Sequence, residues 1–266
     1  MSKIINRDNI SIVLHQPRHP ENIGSVARAM CNMGLSRLVV IDPPNFDLNK
    51  ILKLATHAAS DIVDKISICT ELKDALSHFN YVVGTTARLG GQRQVVNNPS
   101  KLSQKLVSIS VENRIAILFG PEDRGLSNED IRYCHALVNI PTAEFSSLNL
   151  AQAVMIICYE IFIADLEKNT EFTPRLASRH ELDGMYDQLK DILVRISYIN
   201  PENPDYWINN LRRFFIRLQL RAKEVSIIRG ICRQIDWYGK KCYEDGKEMR
   251  QNHGMPEHKE FEPKDK

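Results

Sequence analysis

The stretch "ILFGPEDRGLSNED", from Ile117 to Asp130, reads as a strand that runs into a tight turn and then out into a helix. Gly120 and Gly125 bracket Glu122, a pattern that suits a turn whose backbone comes close to a ligand, and Ser127 signals a helix start. Taken alone, Gly-x-Glu-x-x-Gly serves a plain structural turn equally well.

Working outward, the run "IAILFG" (115–120) has four counterparts: "ISIVL" (10–14), "LVVI" (38–41), "YVVGT" (81–85) and "ALVNI" (136–140). Helical segments are predicted between them over about 22–33, stopped by Gly34, and over 50–59, 71–79 and 128–134. This alternation predicts an α/β fold with a mainly parallel sheet covered by helices. The segment "GGQRQVVNNPSK" (90–101) has turn residues and little periodicity, so it is expected to be a loop, and long loops in compact domains are often functional.

Two further stretches frame the turn. "PENIGSVARAM" (20–30) follows the first strand at the edge where open α/β sheets bind ligands, and it carries Asn22, Gly24 and Arg28. Ordinary helix-start chemistry makes Asn22 an N-cap, Gly24 a close-packing position and Arg28 a surface residue; alternatively the helix aims Arg28 into the crevice. "NIPTAEFSSLNLAQA" (139–153) places Ser147 and Asn149 at the start of a helix that is apolar on nearly every side through Ile163. Ser147 suits an N-cap, and helix N-termini also present free N–H groups to ligands. An all-round apolar helix of this kind belongs in a core or a subunit interface.

Composition limits the alternatives. The 266 residues are 43% hydrophobic and 26% charged, ample for a core. No apolar run reaches the roughly 20 residues of a membrane helix, and no secretory leader pattern opens the chain, so a cytoplasmic protein without membrane contact is expected. The six cysteines have no CxxC spacing and are expected to be free thiols. No His, Cys or carboxylate cluster has ligand spacing, so no metal is expected. There is no G-x-G-x-x-G dinucleotide fingerprint.

Past a polar linker the chain reads as helical, with segments near 180–196, 207–221 and 224–242. Trp207, Leu211, Phe214, Phe215 and Leu218 are expected to pack, while Arg213, Arg217 and Arg221 fall at four-residue steps on another face. Between Tyr206 and Lys241 nine basic residues face two acids, a net +7 that suits phosphate contacts, with the aromatic residues available to stack on bases. The expected division is 1–167 for the α/β domain, 168–181 for the linker, 182–243 for a helical domain in dimer and RNA contacts, and 244–266 for a charged, disordered tail.

Together, the ordered set Asn-x-Gly-x-x-x-Arg, Gly-x-Glu-x-x-Gly and Ser-Leu-Asn-Leu-Ala resembles the three motifs of the SpoU (SPOUT) family of RNA 2′-O-ribose methyltransferases over roughly residues 9–165. The wording "GSVARAM", "VVGTTAR", "GLSNED" and "SSLNLAQAV", with the helical extension, is most similar to the branch that methylates nucleotide 32 of the tRNA anticodon loop. The resemblance implies helices on both sheet faces, a trefoil knot near the end of the catalytic domain, S-adenosyl-L-methionine as cofactor, tRNA as substrate and a homodimer. It places Arg28, Asn22, Glu122, Ser147 and Asn149 in catalysis. It assigns the cofactor to Thr85, Thr86, Ala87, Gly120, Ile140, Ser146, Ser147 and Leu148. Arg18, Arg88, Arg93, Arg213, Arg217 and Arg221 are the expected RNA contacts. Alternatives are action on another tRNA position or on rRNA, or a knotted RNA-binding protein without turnover.

Overall fold

A computed structural model describes residues 5–87, 98–144, 147–166 and 174–252, with side chains through residue 247. In chain order the elements are β1 (Ile10–His15), α1 (Pro20–Asn32), β2 (Arg37–Ile41), α2 (Leu48–Ala55), α3 (Ser60–Asp64), β3 (Ser67–Cys69), α4 (Leu72–Leu76), β4 (Tyr81–Thr85), α5 (Pro99–Ser110), β5 (Ile115–Phe119), α6 (Asn128–Ile131), β6 (Ala136–Val138), α7 (Leu150–Leu166), α8 (Arg179–Arg195), α9 (Pro204–Leu218) and α10 (Ala222–Asn252). The six strands form one parallel sheet in the order β3-β2-β1-β5-β4-β6.

The strands are near-continuous apolar runs because both sheet faces are covered. Along β5, Ile115, Ile117 and Phe119 enter the core shared with α1, α2, α5 and α7, while Ala116 and Leu118 enter a second core with Leu72, Leu76, Leu126 and Leu137. The chain moves outward from β1 through β2 to β3 and then crosses to the other side for β4, β5 and β6. That reversal beside β1 marks the carboxyl edge where such sheets hold ligands.

The first helix begins differently from expectation. His19 is the N-cap and Pro20 takes the first turn, since its fixed φ and missing N–H suit that position. Asn22 therefore lies inside the helix with its side chain released for other bonds. Gly24 is the predicted close-packing site: a Cβ there would sit 2.1 Å from the Ile51 carbonyl oxygen of α2. Gly34, at φ +71°, ends the helix, and Leu35 N–H donates back to Met30 O at 3.0 Å.

The other departures have local causes. β3 escapes the sequence pattern because it is a three-residue edge strand with an exposed Ile68. β6 ends at Val138, two residues short. The end of the expected 90–101 loop is already α5, where Asn98 Oδ1 accepts from Lys101 N–H and Pro99 opens the helix. The linker's second half is ordered, with Leu176 and Ala177 buried and Ser178 capping α8 through a capping box with Glu181. The tail expected from 244 starts as the continuation of α10 to Asn252, because "EDGKEMRQN" consists mostly of helix formers and contains no proline.

The helical domain docks on the sheet domain through two buried asparagines. Asn80 Nδ2 donates to Leu176 O at 2.7 Å, and its Oδ1 accepts from Arg114 N–H at 2.9 Å. Asn113 Oδ1 accepts from Leu176 N–H at 2.6 Å. Arg179, fully buried, pairs with Asp183 at 3.1 Å and lies over the Tyr133 ring of the first domain.

Candidate active site

Three loops leave the carboxyl edge after β4, β5 and β6 and enclose a pocket of about 300 Å³. Its lining includes Thr85, Thr86, Ala87, Gly120, Glu122 and Ile140, with Ser147 and Leu148 closing it from the approach to α7. The loops are tied together from behind. Thr85 Oγ1 donates to Leu118 O at 3.1 Å, Thr86 N–H to Val138 O at 3.0 Å, and Asn139 Nδ2 to Thr86 O at 2.9 Å.

The turn at the centre requires both of its glycines. A Cβ on Gly120 would lie 2.4 Å from the Gly125 carbonyl carbon, and Gly125 has φ +65°. Ser127 then caps α6 in a capping box with Asp130, as the sequence signalled.

Glu122 organises the rim. Its carboxylate accepts from Arg18 N–H at 2.9 Å, His19 N–H at 3.4 Å and Asn22 Nδ2 at 2.7 Å. Partial burial pushes this carboxyl upward, but the Arg18 N–H, the Asn22 amide and the Glu122 and His19 N–H groups together hold it below its ordinary value. Asn22 Oδ1 in turn accepts from Asn149 Nδ2 at 3.1 Å. Residues from all three sequence motifs with carboxyl or amide side chains thus form one chain of hydrogen bonds.

Asn149, rather than Ser147, caps α7. Its Oδ1 accepts from Ala151 N–H at 2.9 Å and Gln152 N–H at 3.4 Å. The helix consequently begins at Leu150, leaving Ser147 on the approaching loop against the pocket.

Other expected site residues sit elsewhere. Arg28 is exposed on α1, outside the pocket lining, and no hydrogen bond or ion pair reaches its side chain from the described residues. The Arg18 guanidinium pairs with Asp123 at 2.6 Å. Arg213 and Arg217 are exposed on α9, but that helix ends at Leu218 with Gln219 at φ +49°. Arg221 is therefore off the helix, in a bridge to Leu176. The expected packed face of α9 is also narrower: Ile208 is buried, Leu211 and Phe215 join the core, while Trp207, Phe214 and Leu218 are about half exposed. The reason is that α9 is backed by neighbours along one side alone. Ser146, Arg88 and Arg93 lie outside the described residues. All six cysteines are free. Among the described residues no group of three or more His, Cys, Asp or Glu side chains is placed to hold a metal, and no helix is long and apolar enough to cross a membrane.

Sequence reasoning missed Gln16, Asp42, Arg124 and Asn139. The first two adopt left-handed φ without being glycine, and Asn139 acts on a strand distant in sequence, so no local signal marked them.

The chain is similar to known proteins over most of its length. Residues 9–159 match the SpoU rRNA Methylase family, and residues 180–252 match the tRNA methyltransferase TrmJ C-terminal domain. The tRNA (cytidine/uridine-2′-O-)-methyltransferase TrmJ of Cronobacter sakazakii is 36% identical over 236 residues, covering 86% of this chain and 96% of that protein. The tRNA (cytidine/uridine/adenosine-2′-O-)-methyltransferase TrmJ of Pseudomonas aeruginosa is 35% identical, with 84% and 92% covered. Among solved structures, TrmJ from Z. mobilis superimposes with a TM-score of 0.73 at 29% identity, covering 85% of this chain and 98% of that one. A probable methylase family protein from Haemophilus influenzae gives 0.58 at 30% identity, with 89% and 99% covered.

Proposed function

The chain belongs to the SpoU rRNA Methylase family and carries a TrmJ-type C-terminal domain, and on that premise we propose that it methylates the ribose 2′-hydroxyl of nucleotide 32, C or U, in the tRNA anticodon loop. The observation that carries this reading is the pocket at the meeting of three loops, with Glu122, Asn22 and Asn149 hydrogen-bonded along its rim.

S-adenosyl-L-methionine is the methyl donor and supplies an electrophilic methyl group on a sulfonium. The pocket suits it: Gly120 and Gly125 bring backbone close, and Phe119, Leu126, Val138, Ile140 and Leu148 offer apolar walls for an adenosine. Thr85, Thr86, Ala87, Gly120, Ile140, Ser147 and Leu148 are its proposed contacts.

Methyl transfer requires the acceptor oxygen in line with the methyl carbon and a counter to the charge growing on that oxygen. Arg28 is assigned the second task, its guanidinium clamping a flanking phosphate and directing an N–H at the 2′-oxygen. A guanidinium does not accept protons at neutral pH, so the hydroxyl proton leaves to water. Asn149 and Ser147 orient the ribose, and Asn22 and Glu122 keep the first loop in place.

The reading includes a homodimer. Met155, Ile156, Tyr159, Phe162, Ile163 and Leu166 recur at helical spacing on the outward side of α7, half-buried or exposed, while Val154, Ile157 and Ile161 fill the core behind them. A second copy covering that stripe also explains why Arg28, on neighbouring α1, lies outside the pocket of its own chain. The proposed setting is the cytoplasm. The half-exposed Trp207 and Phe214 beside Arg213 and Arg217 suit RNA, aromatic faces for bases and guanidinium groups for phosphates.

The test is tritium transfer from S-adenosyl-L-methionine to total bacterial tRNA, followed by nucleoside mapping. Label in 2′-O-methylcytidine or 2′-O-methyluridine at position 32 supports the proposal. Label at another position overturns the substrate, and label in no RNA overturns the activity.

A further inference from the structure

The pocket at the carboxyl edge of the sheet has a counterpart that opens at the amino edge, a cavity of about 640 Å³ floored by β1 and β2. Its origin is topological. The crossings from β1 to β2 to β3 place α1, α2 and α3 on one face of the sheet, and the face opposite carries α4, five residues long, over β2 and β3. A helix that short leaves the first half of β1 and β2 open on this side.

Charge converges on the opening. Arg37 begins β2 directly opposite Ser11 of β1, Lys65 stands just ahead of β3, and Arg114 immediately precedes β5. All three are exposed and line the cavity, and among the described residues none is in an ion pair. Asp8, from the turn before β1, and Asp74, from α4, line it as well, and no ion pair links their carboxylates to these cations. On the floor, Ser11 is 5% exposed, and no hydrogen bond from the described residues reaches its hydroxyl. A buried hydroxyl is costly unless something supplies it with a partner.

The geometry points to a site for a free mononucleotide, its phosphate held by Arg37, Lys65 and Arg114 with the Ser11 hydroxyl donating from below. Three unneutralised cations around one opening call for more than a single negative charge. A phosphate monoester carries about −1.5 to −2 at neutral pH, whereas one guanidinium fork already matches a carboxylate. The phosphate fills a small part of the cavity, whose size is that of small-molecule sites. Asp8 and Asp74 are placed to accept from ribose hydroxyls or an exocyclic amine, and Phe79 and Val39 give a base apolar surface. This site goes beyond the methyl-transfer reading and shares no lining residue with that pocket.

Calorimetry on the full chain tests the assignment, with saturating S-adenosylhomocysteine present to occupy the methyl-donor pocket and with adenosine 5′-monophosphate, adenosine and inorganic phosphate as probes. Adenosine 5′-monophosphate is expected to bind, and the other two about tenfold more weakly or worse. Arg37→Ala and Lys65→Ala should each weaken the mononucleotide about tenfold, and Ser11→Ala about threefold. Arg37 and Lys65 are exposed, so the urea midpoints of their variants should stay at the wild-type value; if one shifts, the other decides. A wild type that does not bind adenosine 5′-monophosphate, adenosine that binds as tightly, or affinity untouched by the exposed variants overturns the site. Inorganic phosphate binding as tightly as the mononucleotide leaves a plain anion site and overturns the nucleotide. Displacement of the mononucleotide by tRNA gives the cavity to an RNA strand and overturns a free ligand.

Discussion

Asn149 uses both ends of its amide: Oδ1 accepts from the first free N–H groups of α7, and Nδ2 donates to Asn22. The cap that starts the helix therefore also ties the third motif to the first. Arg28 has the opposite character, since no hydrogen bond or ion pair from the described residues holds its side chain. Arg28→Ala is expected to lower methyl transfer by about 10²–10³ with S-adenosylhomocysteine affinity unchanged, and Arg28→Lys to recover little because a point charge lacks the fork. Near-normal turnover of Arg28→Lys on saturating tRNA rejects the clamp. Glu122 links the pocket to pH. Its carboxyl is held below the ordinary 4.5, so its stabilisation is complete above that pH and is lost as pH falls through the depressed value. Glu122→Gln sets an amide N–H against one of the donors and is expected to cost about 1–3 kcal/mol. Urea midpoints followed from pH 7 to below pH 4 should show the wild type losing stability only once pH drops under 4.5, and the variant less stable at neutral pH without that acid slope.

Among the elements, α1 depends on a missing side chain. Gly24→Ala places a Cβ against the Ile51 carbonyl, so α1 and α2 must separate, at a cost of about 1–3 kcal/mol. Gly239, in α10 with open space around it, gives the contrast: Gly239→Ala should stabilise by about 0.5–1 kcal/mol. Urea midpoints for the two variants moving in opposite directions is the expected result. On α9, the exposed Arg217 is a predicted phosphate contact, so Arg217→Ala should reduce the slope of log affinity against log salt for tRNA by about 1. An unchanged slope removes Arg217 from the interface. Element boundaries were legible where chemistry is local. Gly34 stopped α1, and the Ser127 capping box opened α6. They were not legible where tertiary contact decides: Arg221 shares the four-residue spacing of Arg213 and Arg217, yet a left-handed Gln219 and the bridge to Leu176 take it off the helix.

For the whole molecule, the outward stripe of α7 predicts assembly. Tyr159→Asp puts a charge in the middle of that stripe, a change that at interface anchors costs about 2 kcal/mol or more. Sedimentation should show dimer giving way to monomer, with S-adenosylhomocysteine binding kept and methyl transfer lost; a variant that stays dimeric places the interface elsewhere. The joint between domains follows another logic, because Asn80 and Asn113 bond segments far apart in sequence and nothing near either residue announces it. By itself the sequence determined the parallel α/β class, the order of the three motifs and the glycine-bracketed turn, since these rest on periodicity, chain-local sterics and short-range capping. The tertiary structure alone decided that Glu122, Asn22 and Asn149 are bonded in one chain and that Arg28 stands apart. Those facts depend on which strand ends lie side by side in the sheet, a long-range pairing that local spacing does not encode.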